Sequence, residues 1–340
     1  MTSYEIVKRT IRHERPPRLA VRFAAFEQDD TAGVPLKAPA DFNSPSDTID
    51  EWGCRWEKTD VPNMGQVKGW PLEDVGQIDR LPTPDYDDDS RYQDVPEALD
   101  RHHADGKYVM AGIFAVLFER MHMLHGFENV LSGLLLDRPA MEALADKIVE
   151  IHLVLIDNLR RRFGDRIHAI GMTDDWGTQQ AAFVSFDLWI NFFYPRYKRL
   201  FDAMHAAGYD VWVHSCGKVN EIIEGYIRAG VDVVNLQQPR ALGIEEIARR
   251  YRGRIAFESL ADIQATLPTG DRRRVDEDVE MLMTHWAGER GGFVFSDYGD
   301  PAGIGVKDPD IKLYMYERFS AFSEQIYGEP LPPPKVPQEV

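Results

Sequence analysis

Short apolar runs alternate with amphipathic stretches along most of this chain. Seven runs have the length and β-branched content of buried strands, and they lie at 18–23, 108–113, 167–172, 211–213, 231–236, 254–258 and 292–296. Helical periodicity follows most of these runs, at 119–135, 139–162, 185–207, 220–229, 243–251, 275–287 and 308–327. Strands that alternate with helices in this way indicate a parallel sheet covered by helices.

The number of strands favours an α/β fold of the (β/α)8 type, the TIM barrel, over other parallel sheets. Seven strands are too many for a small doubly wound sheet, and no glycine-rich phosphate turn accompanies them. A chain of 340 residues is long enough for such a barrel as one domain over residues 1–340. The eighth strand is then weak or hidden in the sequence. An open doubly wound sheet is the alternative.

A long irregular region, residues 28–95, follows the first predicted strand and is rich in Asp, Pro, Gly and Trp. Structureless connections of this length are uncommon in compact domains, so we expect a lid or a binding element. Its segment Asp50-Glu-Trp-Gly-Cys-Arg-Trp56 is either a small satellite core or a lid with Cys54 facing the barrel mouth. The last residues, 328–340, are predicted to form an extended tail.

The charge of the chain argues against two classes of partner. There are 39 Lys and Arg against 56 Asp and Glu, a formal net charge of −17. Such a chain repels phosphate backbones and anionic lipid, so we expect neither a nucleic-acid partner nor a membrane role. No stretch approaches the roughly 18 apolar residues of a membrane span. The first ten residues lack the apolar core of a signal peptide, and two cysteines make no disulfide framework, so a cytoplasmic protein is expected.

Polar side chains follow the predicted strands at the points where the strands end. In a barrel these ends converge on one mouth, which is where barrel enzymes carry their active sites. The set comprises Asp174, Asp175, Gln179, His214, Cys216, Asn235, Gln237, Gln238, Glu258, Asp297, Tyr298 and Asp300. Each also has a structural interpretation: the aspartates can cap turns, the glutamines can satisfy loop backbone, and Glu258 can pair with an arginine.

His214 and Cys216 form the most informative pair of this set. Residues i and i+2 of a strand point to the same side, so both side chains face the same way at the end of their strand. An imidazole and a thiolate together suit Zn²⁺. Packing without metal is the alternative interpretation of the pair.

Several segments together resemble the uroporphyrinogen decarboxylase superfamily over residues 3–325. They are Thr2-Ser-Tyr-Glu-Ile-Val-Lys-Arg-Thr-Ile-Arg12, Arg15-Pro-Pro-Arg-Leu19, Asp50-Glu-Trp-Gly-Cys54, Phe118-Glu-Arg120, Gly126-Phe-Glu-Asn129, Asp174-Asp-Trp-Gly-Thr-Gln179, His214-Ser-Cys-Gly217 and Gly230-Val-Asp-Val-Val-Asn235. The resemblance lies in the order and spacing of these segments and not in one motif. It implies a (β/α)8 barrel, in agreement with the strand pattern.

Two branches of this superfamily differ at positions that can be compared directly. The porphyrin decarboxylases carry an Arg-Gln-Ala-Gly-Arg loop after the first strand and an essential Asp after the second. This chain has Phe23-Ala-Ala-Phe-Glu-Gln28 and Gly112-Ile-Phe-Ala-Val116 at those places. It is more similar to the methyltransferases that work with corrinoid proteins, in which His-x-Cys-Gly binds zinc with a second Cys after the seventh strand. Here Ser296-Asp-Tyr-Gly-Asp300 stands there, so Asp297, Asp300, Asp175, Glu258 or Cys54 is expected to complete the site.

The resemblance implies a zinc-assisted methyltransferase acting on a small O- or N-methylated substrate, with a corrinoid on a separate partner protein as the acceptor. Its metal ligands include His214 and Cys216, and Asp175 and Tyr298 are the expected catalytic residues. The expected substrate contacts are Asp174, Gln179, Gln237, Glu258 and Trp52, while Trp52 and Trp56 also shape the lid or the docking face. A metal-independent decarboxylase or lyase, or a barrel that binds without turnover, remains an alternative. An oligomer is compatible with the sequence.

Overall fold

The computed structural model describes residues 1–40, 42, 44, 48–58, 65–308 and 310–335 of the chain. Its main sheet has eight parallel strands and forms a nearly closed (β/α)8 barrel, which confirms the fold predicted from the sequence. We label these strands β1 to β8: Ala20–Phe23, Thr31–Gly33, Tyr108–Ile113, Ala169–Thr173, Asp210–His214, Val233–Asn235, Ala256–Ser259 and Phe293–Ser296. The barrel closes where β1 pairs with β8, with Ala20 opposite Val294.

Strand β2, which the apolar pattern does not reveal, lies at Thr31–Gly33. It is reached through a short strand, Gln28–Asp29, that runs antiparallel to β1. The chain then reverses its direction at Asp30, and β2 runs parallel to β3. The region predicted as an insertion, 28–95, therefore contributes one strand of the barrel at its beginning.

Asp30 joins β1 to β3 at this reversal. Its backbone N–H donates to the carbonyl of Val21 at 2.7 Å, and its carbonyl accepts from the N–H of Tyr108 at 2.9 Å. Its buried carboxylate accepts two hydrogen bonds of 2.7 Å from the guanidinium of Arg18 and one of 2.9 Å from the N–H of Val21. An ion pair of two hydrogen bonds, with both partners largely out of water, thus holds the junction between β1 and β2.

Ten α-helices of eight or more residues are present in the described part of the chain. They are α1 to α10: Ser3–Ile11, Val95–Ala104, Phe118–His125, Phe127–Leu136, Arg138–Phe163, Tyr194–Ala206, Ile222–Ala229, Ile244–Tyr251, Arg272–His285 and Asp310–Tyr327. The helix predicted over 119–135 is divided into α3 and α4, because Gly126 has φ +93° and carries the indole of Trp70 against its backbone. The helix predicted over 185–207 is interrupted by the π-helical turn Trp189–Phe193.

The N-terminal end of the barrel is filled by apolar side chains. Ile6, Val7 and Ile11 of α1 form one buried cluster with inward-facing strand residues, which are Ala20, Tyr108, Met110, Ala169, Trp212, Val233, Ala256 and Val294. A second, larger cluster packs the outer face of the sheet against the helices. Because α1 packs across this end, the interior opens toward the carboxyl ends of the strands, where barrel enzymes place their chemistry.

The early region also contains a small core and a hairpin. Trp52 is 5% exposed and lies under the guanidinium of Arg120, whose Cζ is 4.7 Å from the ring centroid. Cys54 is fully buried, and its thiol donates to the carbonyl of Met123 at 3.3 Å. The two hairpin strands are Arg55–Glu57 and Gln66–Gly69. The satellite-core interpretation of this segment is therefore the one that applies to Trp52 and Cys54.

The tail described up to residue 335 is extended and lies back over the first strands. The amide of Gln28 donates to the carbonyl of Pro333 at 3.0 Å, and the N–H of Lys335 donates to the carbonyl of Phe26 at 3.2 Å. The rest of the predicted tail, 336–340, lies outside the described residues. None of the helices in the described residues combines the length and the apolar character that crossing a bilayer requires.

Candidate metal and substrate site

A cavity of about 770 Å³ opens at the carboxyl ends of the barrel strands. Side chains from most of the strands and from the loops after them border it. They include Arg22, Asp29, Met110, Phe114, Met172, Thr173, Trp212, His214, Asn235, Gln237, Glu258 and Asp297. The strand-end residues singled out in the sequence thus converge in part on one pocket, of the size that small-molecule sites have.

Three potential metal ligands meet beside this cavity. His214 Nε2 lies 3.3 Å from Cys216 Sγ and 3.5 Å from Asp175 Oδ1. All three ligand atoms lie within 4.8 Å of one another, and the three residues are half-buried. Within the described residues, no other group of three or more His, Cys, Asp and Glu side chains has this property.

The spacing of these atoms fits a tetrahedral zinc ion. Zn–N, Zn–O and Zn–S bonds of 2.0–2.3 Å at tetrahedral angles place neighbouring ligand atoms roughly 3.4–3.6 Å apart. The ring orientation of His214 fits as well, because its Nδ1 donates to Asn235 Oδ1 at 2.6 Å. Nε2 is then left with its lone pair directed toward Cys216 and Asp175, as a zinc ligand requires. Three protein ligands would leave one position of a tetrahedral zinc ion for a substrate atom.

Glycines allow the loops that carry Asp175 and Cys216 to come together. Gly217 has φ +85°, and a Cβ at this position would lie 2.2 Å from the carbonyl oxygen of Gly177. This close approach lets Asp175 Oδ1 accept from the N–H of Cys216 at 2.8 Å. Gln238 accepts from the N–H of Gly217 at 2.7 Å. The turn that carries the thiol is therefore fixed from both sides.

The thiol of Cys216 is neutral in this environment unless a cation is present. Burial is the main cause, and the charge of Asp175 adds to it; together they raise the pKa of the Cys216 thiol well above its usual value. A bound zinc ion reverses this preference, since it stabilises the thiolate directly. Burial, followed by the nearby Cys216, Asp300 and Asp175, raises the pKa of the half-buried phenol of Tyr298, which keeps its proton at neutral pH.

The structure does not support the substrate contact that the sequence predicts for Asp174. Asp174 is fully buried, and its carboxylate accepts from the N–H groups of Leu117, Phe118 and Glu119 at 3.2, 2.9 and 2.7 Å. The hydroxyl of Tyr197 donates to it as well. The buried Asp174 carboxylate therefore caps the free N–H groups at the start of α3, and both of its oxygens accept hydrogen bonds from the protein.

The structure also corrects three predicted metal ligands. Asp297 pairs with the ammonium of Lys312 at 2.7 Å, and the carboxylate of Asp300 accepts from the N–H of Gly303 at 3.0 Å in an exposed turn. Cys54 is buried in the satellite core, where burial and Asp50 raise the pKa of its thiol to about 12. None of the three joins the group of Asp175, His214 and Cys216.

The remaining predicted contacts divide into two groups. Gln237 and Glu258 border the cavity, and Glu258 Oε2 accepts from the indole of Trp212 at 2.5 Å and from Arg22 at 2.9 Å. Gln179 is exposed in a turn and Trp52 is buried under Arg120, and neither borders the cavity. Substrate contact through Gln237 and Glu258 stays a prediction, whereas the positions of Gln179 and Trp52 do not support it.

Comparison with known proteins agrees with this architecture. Residues 59–297 match the family described as uroporphyrinogen decarboxylase (URO-D). The chain belongs to the URO-D family. A methyltransferase from Methanosarcina mazei has a similar structure, with a TM-score of 0.68 and 12% sequence identity over 96% of this chain and 99% of that chain. This likeness supports the URO-D barrel fold.

Other comparisons add little to the URO-D assignment. The structure titled "Crystal structure of D-psicose 3-epimerase (DPEase) in the presence of D-fructose" has a TM-score of 0.40 and 14% identity, covering 68% of this chain and 83% of that chain. No curated protein sequence matches the chain. The chemistry of this URO-D protein therefore has to be argued from its own site.

Two residues of this URO-D site have roles that the sequence analysis did not assign. Asn235 fixes the imidazole of His214, as described above. Glu119, at the start of α3, accepts from the hydroxyl of Thr173 at 3.1 Å. Burial, followed by the charges of Asp175 and Asp174, raises the pKa of Glu119 to about 8. In the sequence, Glu119 is marked by its place in the motif Phe118-Glu-Arg120, and Asn235 is marked by its place at the end of a predicted strand.

We expect an Asn235→Ala variant of this URO-D protein to bind zinc about 10–100-fold more weakly. The imidazole of His214 then loses the acceptor that fixes its tautomer and its rotation. Competition with a chelator measures the affinity. The matched control is Asn191→Ala, because Asn191 is exposed, its amide donates to the carbonyl of Asp187 at 2.8 Å, and it lines neither the cavity that His214 borders nor the one that Asp175 borders. Equal affinities of the two variants would contradict this role of Asn235.

Proposed function

We propose that this chain is a zinc-dependent methyltransferase that moves a methyl group from a small O- or N-methylated substrate to a corrinoid held by a separate protein. The observation that carries the proposal is the group of His214, Cys216 and Asp175, whose ligand atoms have the spacing of a tetrahedral zinc site beside the barrel cavity. The URO-D fold supports it, since its barrel places this group at the open end.

The ligand set suits an oxygen or nitrogen substituent. Zinc held by His214, Cys216 and Asp175 would supply a Lewis acid to the heteroatom to which the methyl group is bonded. In the hard–soft sense of acids and bases, zinc with one carboxylate and one thiolate ligand is a harder Lewis acid than zinc with two thiolates. It therefore favours oxygen and nitrogen atoms of a substrate over sulfur. Asn235 holds the ring of His214 throughout, and Gln238 holds the turn of Cys216.

Tyr298 is the proposed proton donor for the leaving heteroatom. The phenol is half-buried, and burial, followed by the charges that Cys216, Asp300 and Asp175 carry when ionised, raises its pKa. When the methyl group leaves as a cation equivalent to a reduced corrinoid, the bonding pair stays on the heteroatom, which then takes the phenol proton. Gln237 and Glu258 are proposed to bind the rest of the substrate within the cavity.

The proposal is tested with zinc-loaded protein, cob(I)alamin as the acceptor, and a panel of small methyl ethers and methylated amines. We expect the spectrum of the reduced corrinoid to convert to that of a methylated corrinoid with at least one donor. The metal-stripped protein is the control, and it should show no conversion. Release of carbon dioxide from a carboxylated substrate without corrinoid would instead identify a decarboxylase. Conversion at the same rate in stripped and loaded protein would reject the role of the metal.

A further inference from the structure

We propose that the barrel cavity binds the head group of an α-amino acid, in which Arg22 holds the carboxylate and Glu258 and Asp29 hold the ammonium group. The inference rests on the proposed methyl transfer and makes its substrate class narrower: an amino acid whose side chain ends in a methoxy group. The methoxy oxygen keeps a lone pair for the Lewis acid, while the charged nitrogen lies at the other end of the molecule. Arg22 and Asp29 have no part in the mechanism above.

The cavity exists because part of one layer of the barrel interior has no side chains. Inward-facing residues alternate along a strand, so the layer above the apolar cluster at the N-terminal end lies two residues further along each strand. Its members are Arg22, Gly112, Gly171, His214, Asn235, Glu258 and Ser296. On β3, a Cβ at Gly112 would meet no atom beyond its chain neighbours closer than 3.9 Å. The polar half of the layer, from β5 through β8 to β1, therefore faces open space that a small ligand can occupy.

Arg22 brings a guanidinium into this layer with most of its hydrogen-bonding capacity unused. Its Nη1 donates to Glu258 Oε2 at 2.9 Å, and its side chain makes no other hydrogen bond within the described residues. The Nε group is buried and has no acceptor. The five N–H groups of a guanidinium form a planar fork that matches the two oxygens of a carboxylate. Because Arg22 borders the cavity, its unused N–H groups can bind a carboxylate there.

Two carboxylates stand beside Arg22, and each has one oxygen that accepts no hydrogen bond in the described part of the chain. Glu258 Oε2 accepts from Arg22 and from the indole of Trp212 at 2.5 Å, which leaves Oε1. Asp29 lies opposite Arg22 on the antiparallel strand that follows β1. Its Oδ1 accepts from the N–H and the hydroxyl of Thr31 at 2.8 and 2.7 Å, which leaves Oδ2. Both remaining oxygens are accessible from the cavity and can accept from an ammonium group.

The charges at this place fit a head group that carries both signs. Arg22 with Asp29 and Glu258 leaves one negative charge. The further carboxylate among the described lining residues, Asp297, is paired with Lys312 at 2.7 Å. An anion alone would add to the negative charge, and a cation alone would leave the fork of Arg22 without an acceptor. A zwitterion avoids both costs, because it adds no net charge and supplies acceptors and donors together.

The head-group site lies on the same wall as the metal ligand His214 and at a distance from it. His214, Asn235 and Glu258 occupy one row across the adjacent strands β5, β6 and β7. Neighbouring strands are about 4.8 Å apart, so the backbone of Glu258 lies roughly 9–10 Å from that of His214. An amino acid bound through Glu258 therefore has to reach the metal position with its side chain. Met110 and Met172 border the same cavity and can pack against that side chain.

Calorimetric titration of the protein with O-methyl-L-serine and O-methyl-L-tyrosine tests the inference, because the two bracket the length of the side chain. Each is compared with the amine that lacks its carboxylate and with the acid that lacks its ammonium group. These are 2-methoxyethylamine and 3-methoxypropanoate for the first, and 4-methoxyphenethylamine and 3-(4-methoxyphenyl)propanoate for the second. We expect at least one amino acid to bind about tenfold more tightly, or better, than both of its partial analogues.

Variants show whether the named residues cause this preference. Arg22→Met should remove the advantage of the amino acid over the amine, and Glu258→Gln should reduce its advantage over the acid. Gly112→Val places a side chain in the open part of the layer and should weaken the binding of the amino acid about tenfold or more. Arg228→Met, which removes an exposed guanidinium paired with Glu224 on a helix, is the matched control and should bind as the unaltered protein does.

The outcomes separate this inference from the proposed function. Failure of both amino acids to bind overturns the inference, and so does equal or tighter binding of an amine or acid analogue. An unchanged preference in both Arg22→Met and Glu258→Gln also overturns it, provided that their thermal melting shows folded protein. Preferential binding of an amino acid without methyl transfer to cob(I)alamin from any donor rejects the proposed function and keeps the head-group site. Methyl transfer from other methyl ethers, with no binding of either amino acid, does the reverse.

Discussion

A His214→Ala variant is expected to lose stoichiometric zinc and to slow methyl transfer by about a hundred- to a thousandfold, the equivalent of several kcal/mol. His214 supplies the one nitrogen ligand of the three, and its Nε2 is the atom from which both other ligand distances, 3.3 and 3.5 Å, are measured. Without it, one thiol and one carboxylate remain, and the thiol is neutral in the absence of a cation because burial raises its pKa. Elemental analysis of the purified variant measures the metal directly.

A second histidine provides the control for this variant. His205 is partly exposed, and its Nε2 lies 2.8 Å from a carboxylate oxygen of Asp232, away from the three ligands. His205→Ala should retain the zinc content and the turnover of the unaltered protein. Stoichiometric zinc in His214→Ala, or full turnover by protein from which the metal has been removed, would show that the metal site is wrongly assigned.

The largest effect on stability is expected from Asp30→Ala. The substitution leaves the buried guanidinium of Arg18 without its two carboxylate partners, and it removes an acceptor from the N–H of Val21. Breaking a buried pair from one side costs about 3–5 kcal/mol of the free energy of unfolding. For a chain of 340 residues, the melting temperature then falls by about 4–7 °C. Calorimetry or denaturant unfolding measures the loss.

Two further variants show whether the charge itself is responsible. Asp100→Ala removes one half of an exposed ion pair with Arg166, and such pairs contribute about 0–1 kcal/mol. In the double variant Arg18→Met/Asp30→Ala no charge is left buried, so it should be more stable than Asp30→Ala alone. If Asp30→Ala were no less stable than Asp100→Ala, the ion pair would not hold the junction between β1 and β2.

Most of the fold could be predicted because its elements carry a strong apolar signal. Both faces of a parallel sheet are buried, so its strands are apolar runs. Strands β3 to β8 follow this rule, and the sequence pattern therefore predicts them. Strand β2 escaped prediction because Thr31-Ala-Gly33 has no such run. Its place is fixed instead by Asp30, through an ion pair and backbone hydrogen bonds that no periodicity reveals.

The site residues could likewise be predicted where their placement depends on local sequence, and not where it depends on contacts between distant segments. His214 and Cys216 could be paired because the period of a strand is a local property. The third ligand could not be chosen among five candidates, because the choice depends on how closely two loops approach. Gly177 and Gly217 bring Asp175 to Cys216, while Lys312 takes Asp297 for an ion pair. Neither contact is visible in the sequence around the residues concerned.

The early region illustrates a further limit of sequence patterns. Trp52 and Trp56 are only four residues apart and of the same type, but Trp52 is buried in the satellite core and Trp56 is half-buried on the hairpin strand Arg55–Glu57. The difference arises from partners far along the chain, since Trp52 packs under Arg120.

The pairing of β1 with β8 has a consequence for synthesis on the ribosome. Ala20 meets Val294, so 294 − 20 = 274 residues separate the two partners. At about 5–20 residues per second, β1 is synthesised roughly 14–55 seconds before β8 exists. During this time one edge of β1 lacks its partner, while the antiparallel strand Gln28–Asp29 can cover its other edge at once. The short reversal at Asp30 thus gives the nascent chain a local partner for its first strand before the barrel can close.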